Sequence, residues 1–245
     1  MCFDWLVSMP RVFKKVCAFC SVLMYLLVLS GCAALDMPGV NLAKRVFGMW
    51  STSSAEVTFN PAYDYLKTTF ITRSALPAPS VYLAAERVHG ALGDRVRVWY
   101  SADKDIIYRC QGRLLRTAGL SVDWRDVRWT LLPTWQSALR RPQHYQRVRT
   151  VMPGYHVDVQ DAVTITHIPP PKQTYLTAWA PERLVWFEET VVSSEKDMQL
   201  PPSRYAVDMT MSRHGKVIYS EECLAKGLCF AFELWDVRRN QRKKT

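Results

Sequence analysis

The chain has 245 residues, enough for one large domain or two small ones. Hydrophobic residues make up 49% of it and only ten glycines and fourteen prolines occur, which excludes a disordered, collagen-like or low-complexity chain. Lysine and arginine outnumber the acids 32 to 22, a net +10 that favours anionic partners such as phosphate, lipid headgroups or acidic glycans.

The one apolar stretch long enough to matter for membranes lies at the N-terminus, which excludes a polytopic membrane protein. Arg11, Lys14 and Lys15 precede an apolar run from Val16 to Leu29, shorter than the roughly 20 residues of a spanning helix. This is the layout of a secretory signal over residues 1–31. Its end, Leu29-Ser30-Gly31-Cys32, resembles the bacterial lipobox, in which the cysteine is lipidated and becomes the mature N-terminus. That resemblance implies a diacylglycerol and an N-acyl group, such as palmitate, on Cys32. Several chains give the firm anchor that one chain does not. Ala33, where enterobacterial sorting signals carry Asp, points to the outer membrane with the body facing the periplasm.

Loss of residues 1–31 removes three basic residues and one acid, leaving 29 against 21, or +8. It also removes Cys2, Cys17 and Cys20. Of the remaining cysteines, Cys223 and Cys229 flank Leu-Ala-Lys-Gly-Leu and are the candidate disulfide in an oxidising compartment, with Cys110 left as a buried small residue. No histidine lies near either, and the spacing does not suit zinc, so neither a metal nor a cofactor is expected.

Residues 32–79 read as the lipidated N-terminus and a linker, with Leu42, Val46, Phe47 and Trp50 spaced for a short amphipathic helix over Asn41–Trp50. Pro77 and Pro79 mark the turn into a β domain over residues 80–237. Its strand candidates are Arg95–Tyr100, Ile106–Cys110, Arg113–Thr117, Tyr145–Met152, Tyr155–Val159, Val163–His167, Tyr175–Trp179, Leu184–Val192, Arg204–Met211, Lys216–Tyr219 and Phe230–Trp235. Gln111-Gly112 is a tight turn, and Gln160-Asp161 separates two of the strands. Asp123–Trp129 and Thr134–Arg140 fit either short helices or irregular loops. Short strands at this spacing predict a mainly β protein: a large antiparallel meander curving into a barrel or half-barrel. Residues 238–245 are a basic tail.

Enzyme motifs are absent: there is no Gly-rich phosphate loop, no G-x-S-x-G and no H-E-x-x-H. Glu188-Glu189 and Glu221-Glu222 are adjacent on strands, so each pair points to opposite faces and cannot flank one glycosidic bond by itself. Trp124, Trp129 and Trp135 lie among Arg125, Arg128, Arg140 and Arg141. Aromatic faces beside arginines suit sugar rings with acidic groups. Single-stranded nucleic acid would suit them too, but an envelope location excludes it.

Val98-Trp99-Tyr100-Ser101-Ala102-Asp103 followed by Gln111-Gly112-Arg113-Leu114-Leu115-Arg116-Thr117-Ala118-Gly119-Leu120 resembles the YjbF/GfcB family of bacterial lipoproteins. The shared features are a lipobox, a Trp-x-Ser segment and a Gly-Arg-Leu-x-x-Thr-x-Gly-Leu segment across a hairpin; here Tyr100 intervenes between Trp99 and Ser101. The well-matched part is about residues 80–125. The resemblance implies a sheet curving towards a barrel, and a setting in extracellular or capsular polysaccharide assembly. It carries no catalytic residues.

The reading is a non-enzymatic outer-membrane lipoprotein that assists polysaccharide assembly or export. It would do so by offering a glycan or an export protein a groove, or by using its sheet as a homodimer surface. Trp124, Trp129, Arg128, Arg113 and Arg116 are the candidate ligand residues. Two rivals are a half-barrel carrier of an acyl chain, which needs an apolar concave face, and a glycan-modifying enzyme, which needs two convergent acids.

Overall fold

The computed structural model describes residues 59–71, 78–86, 96–212 and 214–237. Cys32, the helix expected over Asn41–Trp50 and the basic tail lie outside these residues. Twelve strands form one antiparallel sheet. They are β1 (Tyr63–Ile71), β2 (Ser80–Glu86), β3 (Val96–Tyr100), β4 (Ile106–Cys110), β5 (Arg113–Ala118) and β6 (Asp123–Trp129), then, after the short helix α1 (Trp135–Arg140), β7 (Gln143–Met152), β8 (His156–Ile168), β9 (Val185–Ser193), β10 (Ser203–Asp208), β11 (Lys216–Ala225) and β12 (Leu228–Trp235).

The order across the sheet is β5-β4-β3-β2-β1-β12-β11-β10-β9-β8-β7-β6. Each strand therefore lies beside its neighbour in sequence, and β1 pairs with β12 from Tyr65↔Trp235 to Ile71↔Cys229. The outer strands of the order, β5 and β6, are consecutive in the chain. They meet through Thr117, whose hydroxyl accepts from Trp124 N–H at 3.0 Å. The sheet is thus a nearly closed up-and-down barrel, the architecture that removes exposed edges.

Alternation fills the inside. Leu66, Thr68 and Phe70 of β1 face Leu234, Phe232 and Phe230 of β12 in the interior, while Lys67 and Thr69 face outward. Trp99, Ile107, Leu114, Trp124 and Val127 complete this core, all under 5% exposed. Outward positions of β6 and β7 carry Arg125, Asp126, Arg128, His144 and Gln146, all exposed, so this wall faces water.

Opposite walls of the barrel touch at one point. Gly112, in the turn between β4 and β5, takes φ +82° and lies against Val217 of β11; a Cβ there would fall 2.3 Å from the valine side chain. Glycine is needed at this position for both reasons.

Several expectations change. β1 falls within the segment read as linker, so the β domain begins before residue 80. Tyr155–Val159 and Val163–His167 are one strand of thirteen residues, because Asp161 points inside the barrel and continues the ladder instead of turning it. Tyr175–Trp179 is not a strand. It crosses outward-facing β11 and β12, where Glu233 accepts from Thr177 N–H and Ala178 N–H and Tyr219 OH accepts from Tyr175 N–H. Asp123–Trp129 resolves as a strand and Trp135–Arg140 as a helix, capped by the Thr134 hydroxyl accepting from Ser137 N–H at 3.1 Å.

Candidate functional site

The five residues expected to hold a ligand do not share a surface. Trp124 is a core residue at 2% exposure, with Nε1–H donating to the Leu224 carbonyl at 3.0 Å. Trp129 is half-buried against two apolar clusters. Arg113 points inside the barrel. Arg116 is exposed on the other face, 5.6 Å from the Tyr108 ring centroid. Arg128, also outside, bridges Asp126 and Asp158. The alternation of β5 and β6 separates them. Cys223 and Cys229, directly opposite on β11 and β12, are joined by a disulfide.

The interior contains a charged layer that no run of sequence announces. Arg113 donates from Nε to Glu189 at 2.7 Å, and its guanidinium stacks 3.8 Å from the Trp135 ring centroid. Arg147 and Arg149 both reach Asp161, at 2.9 and 2.7 Å. Arg109 crosses the barrel to Glu222 and Ser220, and Glu222 also accepts from Leu114 N–H and Tyr205 OH. Burial alone would favour neutral Arg113, but the Glu189 carboxylate more than offsets it and raises the arginine's pKa, so the guanidinium stays charged. Burial, reinforced by Glu189, raises the pKa of Tyr145 and Tyr205, which keeps both phenols protonated. Breaking one such buried pair leaves an uncompensated charge, which costs about 3–5 kcal/mol.

The residues of the family-like motif each have a place in this frame. Trp99, Leu114 and Leu120 are core. Gly112 permits the turn and Arg113 is the Glu189 partner. The rest build the closing seam. Asp123 accepts from Thr117 Oγ1–H at 2.9 Å, Gly119 N–H at 3.2 Å and Leu120 N–H at 3.3 Å. Gly119 has φ +96°, and a Cβ on it would lie 2.8 Å from Asp105 Oδ1. Asp105 in turn is held by Ser101, whose hydroxyl donates to Oδ2 at 3.1 Å and accepts from Asp105 N–H at 2.9 Å. Burial pushes the Asp105 carboxyl up to about 6; the Ser101 hydrogen bond opposes this, and the charges of Asp103 and Asp123 add to it.

At the opposite pole, where β1 begins and β12 ends, lies a cavity of about 810 Å³. That is within the range of small-molecule sites. The turn at Gln111–Gly112, the start of α1 and the turn before Lys216 surround it. Its mouth includes exposed Gln111, Met211, His214 and Lys216, and it deepens to buried Trp99, Trp135, Arg109 and Leu66. Among the described residues, no aspartate or glutamate lines it. Arg97 and Arg109 are register partners on β3 and β4, so two guanidinium side chains rise side by side into one space. Arg97 packs 4.6 Å from the Trp99 ring centroid and pairs with Asp64.

A mainly β, nearly closed barrel with an aromatic and basic cavity at one pole is the class the structure defines. The sequence matches the family described as group 4 capsule polysaccharide lipoprotein gfcB, YjbF, over residues 64–225. The chain belongs to that family. Among solved structures it is similar to the hypothetical lipoprotein YmcC from Escherichia coli (K12), at 15% identity and a TM-score of 0.49, over 70% of this chain and 82% of that one. No curated protein sequence matches it.

Proposed function

We propose that this protein is a non-catalytic accessory of capsular or extracellular polysaccharide assembly, anchored through lipidated Cys32 to the outer membrane and facing the periplasm, and that its cavity binds glycan. Membership of the capsule lipoprotein family supports the pathway. The Ser30-Gly31-Cys32 sequence supports the anchor. The observation that carries the binding reading is the lining itself: Trp99 and Trp135 beside Arg97 and Arg109. An acyl chain needs an unbroken apolar tunnel, and the arginines at 97 and 109 interrupt the apolar wall of this cavity. Hydrolysis needs two acids facing one bond, whereas the interior carboxylates Asp161, Glu189 and Glu222 are each engaged by arginine.

The test is to measure cell-associated and secreted polysaccharide in a deletion strain complemented with wild type or Cys32→Ala. Loss of polymer restored only by the wild type supports both the pathway and the anchor. Unchanged polymer in the deletion strain removes the reading.

A further inference from the structure

Both ends of the described barrel leave it at the cavity pole. β1 starts there at Tyr63, preceded by Phe59, which packs on Tyr65, Tyr82 and Trp235. β12 stops there at Trp235, the register partner of Tyr65. Before Phe59 the chain leads back to Cys32. After Val237 it continues into Arg238, Arg239, Arg242, Lys243 and Lys244, with no acid among residues 238–245. The candidate anchor and a strongly basic run are thus joined to the barrel at one pole.

Up-and-down strands put alternate connections at opposite poles. At the cavity pole Arg140 and Arg141 close α1, Arg183 precedes β9 and Lys216 opens β11, all exposed, beside the exposed acids Glu182 and Asp236. The connections at the seam pole hold Asp103, Asp105, Glu195 and Asp197 against Lys104, Lys196 and Lys226. The barrel is therefore polarised along its axis, with its basic end at the cavity. Tyr63, Val96, Leu131 and Met211 are exposed at that end. Tyr100, Tyr155 and Val157 are exposed at the seam pole, so apolar exposure does not tell the poles apart. Charge and the points of chain exit do.

We propose that the cavity pole is a membrane-docking face: it rests on anionic phospholipid headgroups, with the mouth of the cavity turned towards the leaflet that holds the anchor. This rests on the lipidation of Cys32 and adds an orientation to it. A lipid group combined with a polybasic patch binds a membrane more firmly than one acyl chain alone. The tether raises the effective concentration of the basic pole at the surface. Each lysine or arginine within a Debye length of anionic headgroups then adds to the attraction, which salt screens. Tyr63 suits the interface, where an apolar ring and a polar tip both find their surroundings.

The full-length lipidated protein is inserted into preformed vesicles of phosphatidylcholine, with or without phosphatidylglycerol, and exposed to hydroxyl radicals. Oxidation of Met211, Tyr63 and Tyr155 is followed by mass spectrometry, which also weighs the Cys32 peptide. Phosphatidylglycerol is expected to slow oxidation of Met211 and Tyr63 roughly threefold or more, to leave Tyr155 unchanged, and to lose this effect at high salt. Arg140→Glu with Arg141→Glu, both exposed, and separately Lys216→Glu are expected to abolish most of the protection, with Tyr155 again unchanged as the check that the barrel is folded.

Equal oxidation of Met211 and Tyr63 in the two kinds of vesicle would overturn the docking face. Protection of Tyr155 in their place would assign the contact to the seam pole and overturn it as well. Stronger protection by soluble polygalacturonate than by phosphatidylglycerol would make the basic pole a polysaccharide surface and overturn the lipid assignment. A Cys32 peptide without acyl mass would instead sink the anchor reading. Flotation of that same full chain with phosphatidylglycerol vesicles alone, lost in Lys216→Glu, would still support the face, and no flotation would overturn it.

Discussion

The two poles of the barrel use polar groups in opposite ways. At the closing seam, Asp123 collects donors from Thr117, Gly119 and Leu120, and Ser101 and Asp105 bond each other three times. At the cavity pole, two buried Nε–H groups have no acceptor among the described residues, and two cations share a cross-strand site. Satisfied polar groups hold a fold in one arrangement. Unsatisfied ones leave part of that hold unmade. The family-like motif straddles both poles, yet most of its residues serve the seam and the core. A motif can therefore mark how a barrel closes while charged residues of the cavity wall, here Arg97 and Arg109, lie outside its letters.

Asp123→Ala should give the largest stability effect. It strands three donors at the seam at once, and a loss of about 3 kcal/mol is expected in urea unfolding. A loss below about 1 kcal/mol would mean that closure does not depend on that carboxylate.

The next effect is one of pH. The folded-state pKa of Asp105 is raised to about 6 from the ordinary 3.8. Below 3.8 both folded and unfolded chains hold the proton. Between 3.8 and about 6 the folded chain keeps a proton that the unfolded chain releases, so the contribution to stability falls as pH rises through that window and is flat above it. Asp105→Asn should remove this decline, visible as a smaller drop in urea midpoint between pH 4 and pH 7. Parallel pH profiles for wild type and variant would refute it.

Arg97→Gln sharpens the contrast from the other side. It removes one of two facing cations at a partly exposed position, so thermal unfolding should shift by no more than about 1 kcal/mol in either direction. A loss comparable to that of Asp123→Ala would make the cavity pole structural too.

Much of the frame was legible locally. β4 and β5 follow from β-branched and aromatic runs around Gln111-Gly112, and the opposite facing of Glu188 and Glu189 follows from strand geometry: Glu189 meets Arg113 inside while Glu188 meets Arg204 outside. What was illegible depends on distant partners. β1 escapes a local reading because Lys67, Thr68 and Thr69 dilute its apolar pattern, and its mate β12 is more than 150 residues away in sequence. Gln160-Asp161 resembled a turn because nothing nearby shows that Asp161 answers Arg147 and Arg149. Tyr175–Trp179 has strand-forming residues but finds side chains to cover rather than a ladder. The tryptophan and arginine cluster at 124–135 looked like a site because proximity in sequence hides strand alternation. The pairing of Arg97 with Arg109 could have been found by folding the chain about the turn at Ala102–Asp105 and reading the positions opposite each other.

The union of β1 with β12 also bears on when this protein can acquire its shape. A barrel wall that joins the first strand to the twelfth has no complete surface until that last strand is available. Pairings between such remote segments pay their loop-closure entropy late and slow folding. A chain delivered to the envelope from its N-terminus would thus travel without a finished barrel to obstruct its passage, and would gain its seam, its charged interior and its cavity together once residues 228–235 arrive beside β1.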